Sequence, residues 1–146
     1  MTIERLLAFG DAWNRGDVDD IMSYFAVECT YHASAGPEPG RTYEGRDAVR
    51  QGVIEMLAYD GGGTPQTGAA FIADARGVAE WSYEFTAVDG AVTAIRGCDV
   101  FEFEGDLIRR KDAFRKVYAF QSPPSSVSLI SAAIPAPDGV ASRSSA

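Results

Sequence analysis

The sequence predicts an α+β domain. Apolar residues recur with a helical period through the first sixty or so positions, and long alternating runs rich in aromatic and β-branched side chains follow, separated by short Gly- and Asp-containing turns. Size agrees with one such unit, because 146 residues of 46% hydrophobic content suffice for a single core and are too few for two ordinary domains.

In chain order, Ile3, Leu6, Leu7 and Trp13 define a first helix, and Gly16 after Asn14 and Arg15 stops it. Asp17 caps a second helix, in which Val18, Ile21, Met22 and Phe25 fall at i, i+3, i+4 and i+7. Residues 30–34 read as a short strand, and residues 36–45, with Pro37, Pro39 and Gly40, as a loop suited to a pocket mouth. A third helix starts at Asp47, turns Val49, Val53, Met56 and Leu57 inward and stops by Gly61-Gly62-Gly63. Strands are predicted over 67–73, 78–88, 91–104 and 107–118. The domain thus occupies residues 1–120. Residues 121–146 have the Ser, Pro and Ala composition of a tail, although Val127, Leu129, Ile130 and Ile134 also suit a docking segment.

A formal charge of -8 argues against nucleic acid or an anionic membrane as partner, since both require basic surface. Neither a signal peptide nor a membrane span is visible, which makes the cytoplasm the expected location. Cys29 and Cys98 read as reduced structural thiols, and with one histidine there is no zinc spacing. No glycine-rich phosphate loop or nucleophile elbow occurs. No metal or cofactor is expected.

Chemistry is concentrated between Arg96 and Lys116. A two- or four-residue loop at Gly105-Asp106 sets Asp99 directly opposite Asp112, on a face shared with Phe101, Phe103, Ile108 and Phe114. Like charges facing one another weaken a sheet, so the arrangement suggests a pocket in which the two carboxylates share a proton. In a purely structural alternative, Asp112 bonds Arg110 or a loop amide and Asp99 turns to solvent. Arg110, opposite Phe101 in this register, would hold one acid ionised, bind an anionic substrate or snorkel from the rim. His32 would be a base if its strand turns it inward, and an exposed ring if Tyr31 is inward instead. Phe9 and Trp13 are core residues or pocket walls. Strand 78–88 has two readings: a two-residue Asp89-Gly90 turn puts Glu80, Ser82 and Glu84 on the Asp99 face, and a three-residue loop puts Trp81, Tyr83 and Phe85 there. Aromatics left outside would form a patch that favours a homodimer.

The strings AWNRGDVDDIMSYF from Ala12, YEGRDAVRQG from Tyr43, EWSYEF from Glu80 and above all RGCDVFEFEGDLIRRKD from Arg96 resemble the SnoaL-like and ketosteroid-isomerase-like families of the nuclear transport factor 2 fold. That resemblance covers Ile3 to about Phe120. It implies a cone: a curved antiparallel sheet wrapped around three helices, with an internal pocket. Asp99 then matches the protonated oxyanion-hole acid of ketosteroid isomerase, which that enzyme's apolar site keeps neutral. The family's phenol falls on Phe9 and its general-base aspartate on Ala33, so the steroid-isomerase set is incomplete. Asp112 matches the last-strand aspartate of polyketide-cyclase and limonene-epoxide-hydrolase relatives, but Ser82-Tyr83-Glu84 stands where the hydrolase has Arg-x-Asp.

The expected function is acid/base proton transfer, of isomerase, cyclase or lyase type, on a small hydrophobic carbonyl compound. Asp112 would be the base and Asp99 the oxyanion donor, or the reverse. Phe9, Trp13, Phe101, Arg110 and Phe114 would contact the substrate, with His32 as a further catalytic candidate. The alternatives are a non-catalytic ligand-binding or interaction domain and epoxide-hydrolase-like hydrolysis.

Overall fold

Thr2 opens α1 (Ile3–Arg15) by accepting the Arg5 N–H at 3.2 Å, and Gly16 closes it in the left-handed conformation at φ 67°, its N–H returning to the Ala12 and Trp13 carbonyls. Asp17 accepts the Asp20 N–H at 3.0 Å and caps α2 (Val18–Ser23). The structure, a computed structural model, describes residues 1–86 and 88–116. The expected strand end at 118 and the segment 121–146 lie outside the described residues.

Phe25 belongs to β1 (Phe25–His32), which starts earlier than predicted, and not to the second helix. A buried residue at the entrance of a strand satisfied the helical i+7 position by coincidence; Phe25 is 1% exposed in its true setting. The loop after β1 contains a short strand that the sequence did not signal, β2 (Thr42–Glu44), paired antiparallel with β1. α3 (Arg46–Tyr59) follows, then β3 (Thr64–Ala73), β4 (Arg76–Thr86), β5 (Val92–Glu104) and β6 (Leu107–Lys116). These strands make one curved, unclosed sheet in the order β2-β1-β6-β5-β4-β3. Every neighbouring pair is antiparallel except β1 and β6, which are parallel. Leu6, Ile21, Phe25, Val49, Phe101 and Ile108, each at most 1% exposed, fill the space between helices and sheet. Phe9 joins them through edge-on contacts with Tyr24, Phe25 and Phe101.

Two registers decide what faces that interior. Residues 87–91 connect β4 to β5, and this odd-length link pairs Ala79 with Asp99, Trp81 with Gly97 and Tyr83 with Ile95. Trp81 and Tyr83 therefore share the Asp99 face, and Glu80, Ser82 and Glu84 take the other. In the β5–β6 pair, Glu104 faces Leu107 and Phe103 faces Ile108, but Glu102 faces Arg110, so Arg109 is an extra residue, a β-bulge. Beyond it Asp99 faces Ala113, and Val100 faces Asp112. The expected Asp99–Asp112 pairing does not occur, because one unpaired residue sends Asp112 to the outer face.

Candidate active site

Once the bulge has shifted β6, the side chains it aims at the interior are those of Lys111, Ala113 and Arg115. Lys111 Nζ lies 2.9 Å from Asp99 Oδ1, and the residues are 2% and 7% exposed. The acid's neighbour is thus a buried cation, diagonal to it across the strands. The Trp81 indole N–H, on β4, donates to the same Oδ1 at 3.1 Å. The ammonium also lies 4.7 Å from the Trp13 ring centroid and 4.5 Å from that of Tyr31. Two aromatic faces and a carboxylate replace the water that a lysine head normally holds.

Trp81 lies against Gly97, its cross-strand partner: a Cβ there would meet Trp81 Cζ2 and the Phe114 carbonyl oxygen, each at 2.3 Å. Glycine is required for that close approach. Arg115, further along β6, pairs with Asp60 at the carboxyl end of α3 at 2.6 Å, both side chains being 7% exposed. These groups line one cavity with Phe9, Phe101 and Tyr83. It encloses about 620 Å³ of atom-free space including its open mouth.

Both phenols in this cavity are kept neutral. Burial, reinforced by the Asp99 and Asp60 charges, holds Tyr31 well above the usual tyrosine value. Tyr83 is pushed up to about 12, by burial first and by Asp60 next. Burial also raises the Cys29 and Cys98 thiols, so neither is an activated nucleophile. Among the described residues, no group of three or more His, Cys, Asp or Glu is arranged to hold a metal ion, and no helix is long and apolar enough to cross a membrane.

The predicted site residues divide between the two faces of the sheet. Asp99, Phe9, Trp13 and Phe101 line the cavity. Asp112 does not, as the bulge dictates. His32 is turned away too: it pairs with Thr42 and Asp112, its Nδ1 lies 2.9 Å from Thr42 Oγ1, and Tyr31 takes the inward position. Arg110 sits beside Glu102 at 3.3 Å and not opposite Phe101. Phe114 faces outward from the Cys98 pair and is 48% exposed. Lys111, Asp60 and Arg115 join the cavity without a sequence-based expectation, and Trp81 and Tyr83 take the second of their two expected faces. For Lys111 and Arg115 the one local trace is the run Leu107-Ile108-Arg109-Arg110, whose failure to alternate marks the bulge.

Residues 5–111 match the SnoaL-like domain family. The chain belongs to that family. Among solved structures, this SnoaL-like domain is similar to an NTF2-like protein of unknown function from Mesorhizobium loti, with TM-score 0.64 and 22% identity over 78% of this chain and 89% of that one. A putative polyketide cyclase from Xanthomonas campestris pv. campestris gives TM-score 0.59 and 20% identity, over 76% and 87%. A protein with a ketosteroid isomerase-like fold from Catenulispora acidiphila, in complex with trimethylamine, gives 0.61 and 19%, over 78% and 86%. At these identities the likeness is one of fold. No curated protein matches the sequence.

Proposed function

We propose that this SnoaL-like domain is a small-molecule enzyme that moves a proton beside a carbonyl group, in the manner of an isomerase, cyclase or lyase, using its own side chains. The observation that carries this reading is the buried Asp99–Lys111 pair, 2.9 Å apart, in an aromatic slot. Lys111 and Trp81 both meet Asp99 at Oδ1. Oδ2 is then the base that takes the α-proton. An ammonium carries three N–H donors, and the one facing Asp99 leaves others for the carbonyl oxygen, where charge develops as the enolate forms. In an isomerase Asp99 returns the proton at a different carbon; in a lyase the enolate expels a β-leaving group, which takes the proton; in a cyclase the enolate carbon adds to a second carbonyl of the substrate, whose oxygen takes it. The aromatic walls exclude water, which strengthens each of these interactions.

In this reading the base role expected of Asp112 passes to Asp99, and the oxyanion role expected of a protonated Asp99 passes to Lys111. The resemblance in fold to a putative polyketide cyclase and to a ketosteroid isomerase-like protein supports the reaction class. Exchange of the α-hydrogens of 1-tetralone in deuterium oxide, followed by proton NMR, tests it. The native protein should accelerate exchange and Lys111→Met should lose on the order of a hundredfold. Binding without exchange in the native protein would leave the non-catalytic ligand-binding alternative.

Association of two copies through the outer face belongs to the same reading. Phe71, Val78, Val100 and Phe114 point there, Phe71 being 61% and Phe114 48% exposed, although Trp81 and Tyr83 do not. Light scattering at micromolar concentration should give twice the 15.6 kDa chain mass.

A further inference from the structure

The cavity has a second polar end, built differently from the first. Arg115 Nη2 donates to Asp60 Oδ1 at 2.6 Å and Nε donates to Ser34 Oγ at 3.2 Å. The guanidinium carbon is 5.2 Å from the Tyr59 ring centroid and 5.3 Å from that of Trp81. Two acceptors and two ring faces fix the orientation of its planar fork. Trp81 connects the ends, since its N–H is on Asp99 and its ring is beside Arg115. Lys111 and Arg115 stand four residues apart on one strand, so their Cα atoms are roughly 13 Å apart. Both side chains line the same cavity, and the single Trp81 indole bridges the two ends, so one small ring compound can touch both.

Charge decides what the second end accepts. Each end is already closed as an ion pair, Asp99 with Lys111 and Asp60 with Arg115. A substrate carboxylate beside Arg115 would be set next to the Asp60 carboxylate, and a substrate ammonium would be set next to the guanidinium; both are repelled in a water-poor site. A hydroxyl meets neither penalty. It accepts from the guanidinium and donates to the carboxylate, and among the described residues Arg115 Nη1 and Asp60 Oδ2 have no protein partner.

We propose that Asp60 and Arg115 form a hydroxyl-reading subsite, and that the substrate is a neutral, flat ketone carrying a hydroxyl across the ring system from its reacting carbonyl. This rests on the proton-transfer reading and names the substrate class for it. A site that hydrogen-bonds a substrate hydroxyl rejects the analogue lacking it.

Three ketones test it: 1-tetralone, 6-hydroxy-1-tetralone and the 6-carboxylate analogue, with Kd read from quenching of tryptophan fluorescence, since Trp13 and Trp81 line the cavity. The hydroxyketone should bind about tenfold or more tightly than 1-tetralone, and the carboxylate should bind more weakly than either. Asp60→Asn should bring the ratio between the hydroxyketone and the parent ketone close to one, and Ser34→Ala, a gentler change that frees Arg115 to turn, should reduce it. Equal binding of the two neutral ketones, absence of binding by the hydroxyketone, or preference for the carboxylate would overturn the proposal. Deuterium exchange on the same samples separates the two claims. Exchange without hydroxyl preference removes the subsite and keeps the proton-transfer reading; hydroxyl preference without exchange does the reverse.

Discussion

Two stretches of the same strand pair, β5 with β6, obey different registers. Near the turn, Glu104 with Leu107 and Phe103 with Ile108 follow directly from a two-residue Gly105-Asp106 loop. Beyond Arg109 every partner is displaced by one, and since side chains alternate with a period of two, the whole inward set of β6 changes. Without the bulge the interior would receive Arg110, Asp112 and Phe114; with it, the interior receives Lys111, Ala113 and Arg115. One extra residue converts an acid pair into an acid–base pair. The bulge selects the chemistry of this pocket, and the strands supply only the scaffold.

Deleting Arg109 breaks that comparison most severely. The deletion restores continuous pairing and forces either the wrong set inward or the strand apart, so the chain should lose roughly 3 to 5 kcal/mol, the scale for uncompensated buried charge, read as a collapse of the denaturant midpoint. Removing one member of the pair comes next. Lys111→Met leaves Asp99 buried without its cation and should destabilise by about 3 kcal/mol, whereas the double variant Asp99→Leu/Lys111→Met should recover most of that loss. Asp99→Asn separates the two registers cleanly: relief of an acid dyad would leave stability unchanged or raised at pH 8, and loss of the Lys111 partner lowers it. Calorimetric unfolding of the three variants distinguishes these cases.

The arrangement of elements was recoverable because it depends on signals confined to a few residues. Thr2, Asp17 and Gly16 terminate helices by local hydrogen bonds and a positive φ, and the turn at Gly105-Asp106 is equally local. The site was harder to read because it depends on parity, which a single inserted residue reverses. Asp99, Phe101, Phe9 and Trp13 line the cavity as expected from sequence, since their faces are set upstream of the bulge or by helical period. Asp112, Arg110 and Phe114 take the outer face through the one-residue shift, and the face of Trp81 and Tyr83 depends on the length of the 87–91 link, which local sequence leaves open. Arg115 and Asp60 come from elements far apart in sequence, and no spacing rule joins them.

Smaller effects sharpen the same picture. Gly97→Ala inserts a Cβ against Trp81 and should destabilise by about 1 to 3 kcal/mol, with a shift of tryptophan emission as the indole leaves Asp99. Tyr83 supplies a pH test. Its folded pKa, about 12, lies above the ordinary value of 10. Its contribution to stability is therefore fully present below pH 10 and disappears as pH rises toward 12. Ultraviolet titration of phenolate absorbance should show a late-ionising component that Tyr83→Phe removes. On the outer face, His32→Gln should alter stability by no more than about 0.5 kcal/mol.

The most direct measurement compares the two aspartates in the reaction itself: the rate of α-deuterium exchange on 6-hydroxy-1-tetralone for the native protein, Asp99→Asn and Asp112→Asn, with folding of each checked by circular dichroism. Asp99→Asn should lose about a hundredfold or more, and Asp112→Asn should retain the native rate. Loss of exchange in Asp112→Asn with retention in Asp99→Asn would contradict the account, since it would mean that Asp112 and not Asp99 faces the substrate.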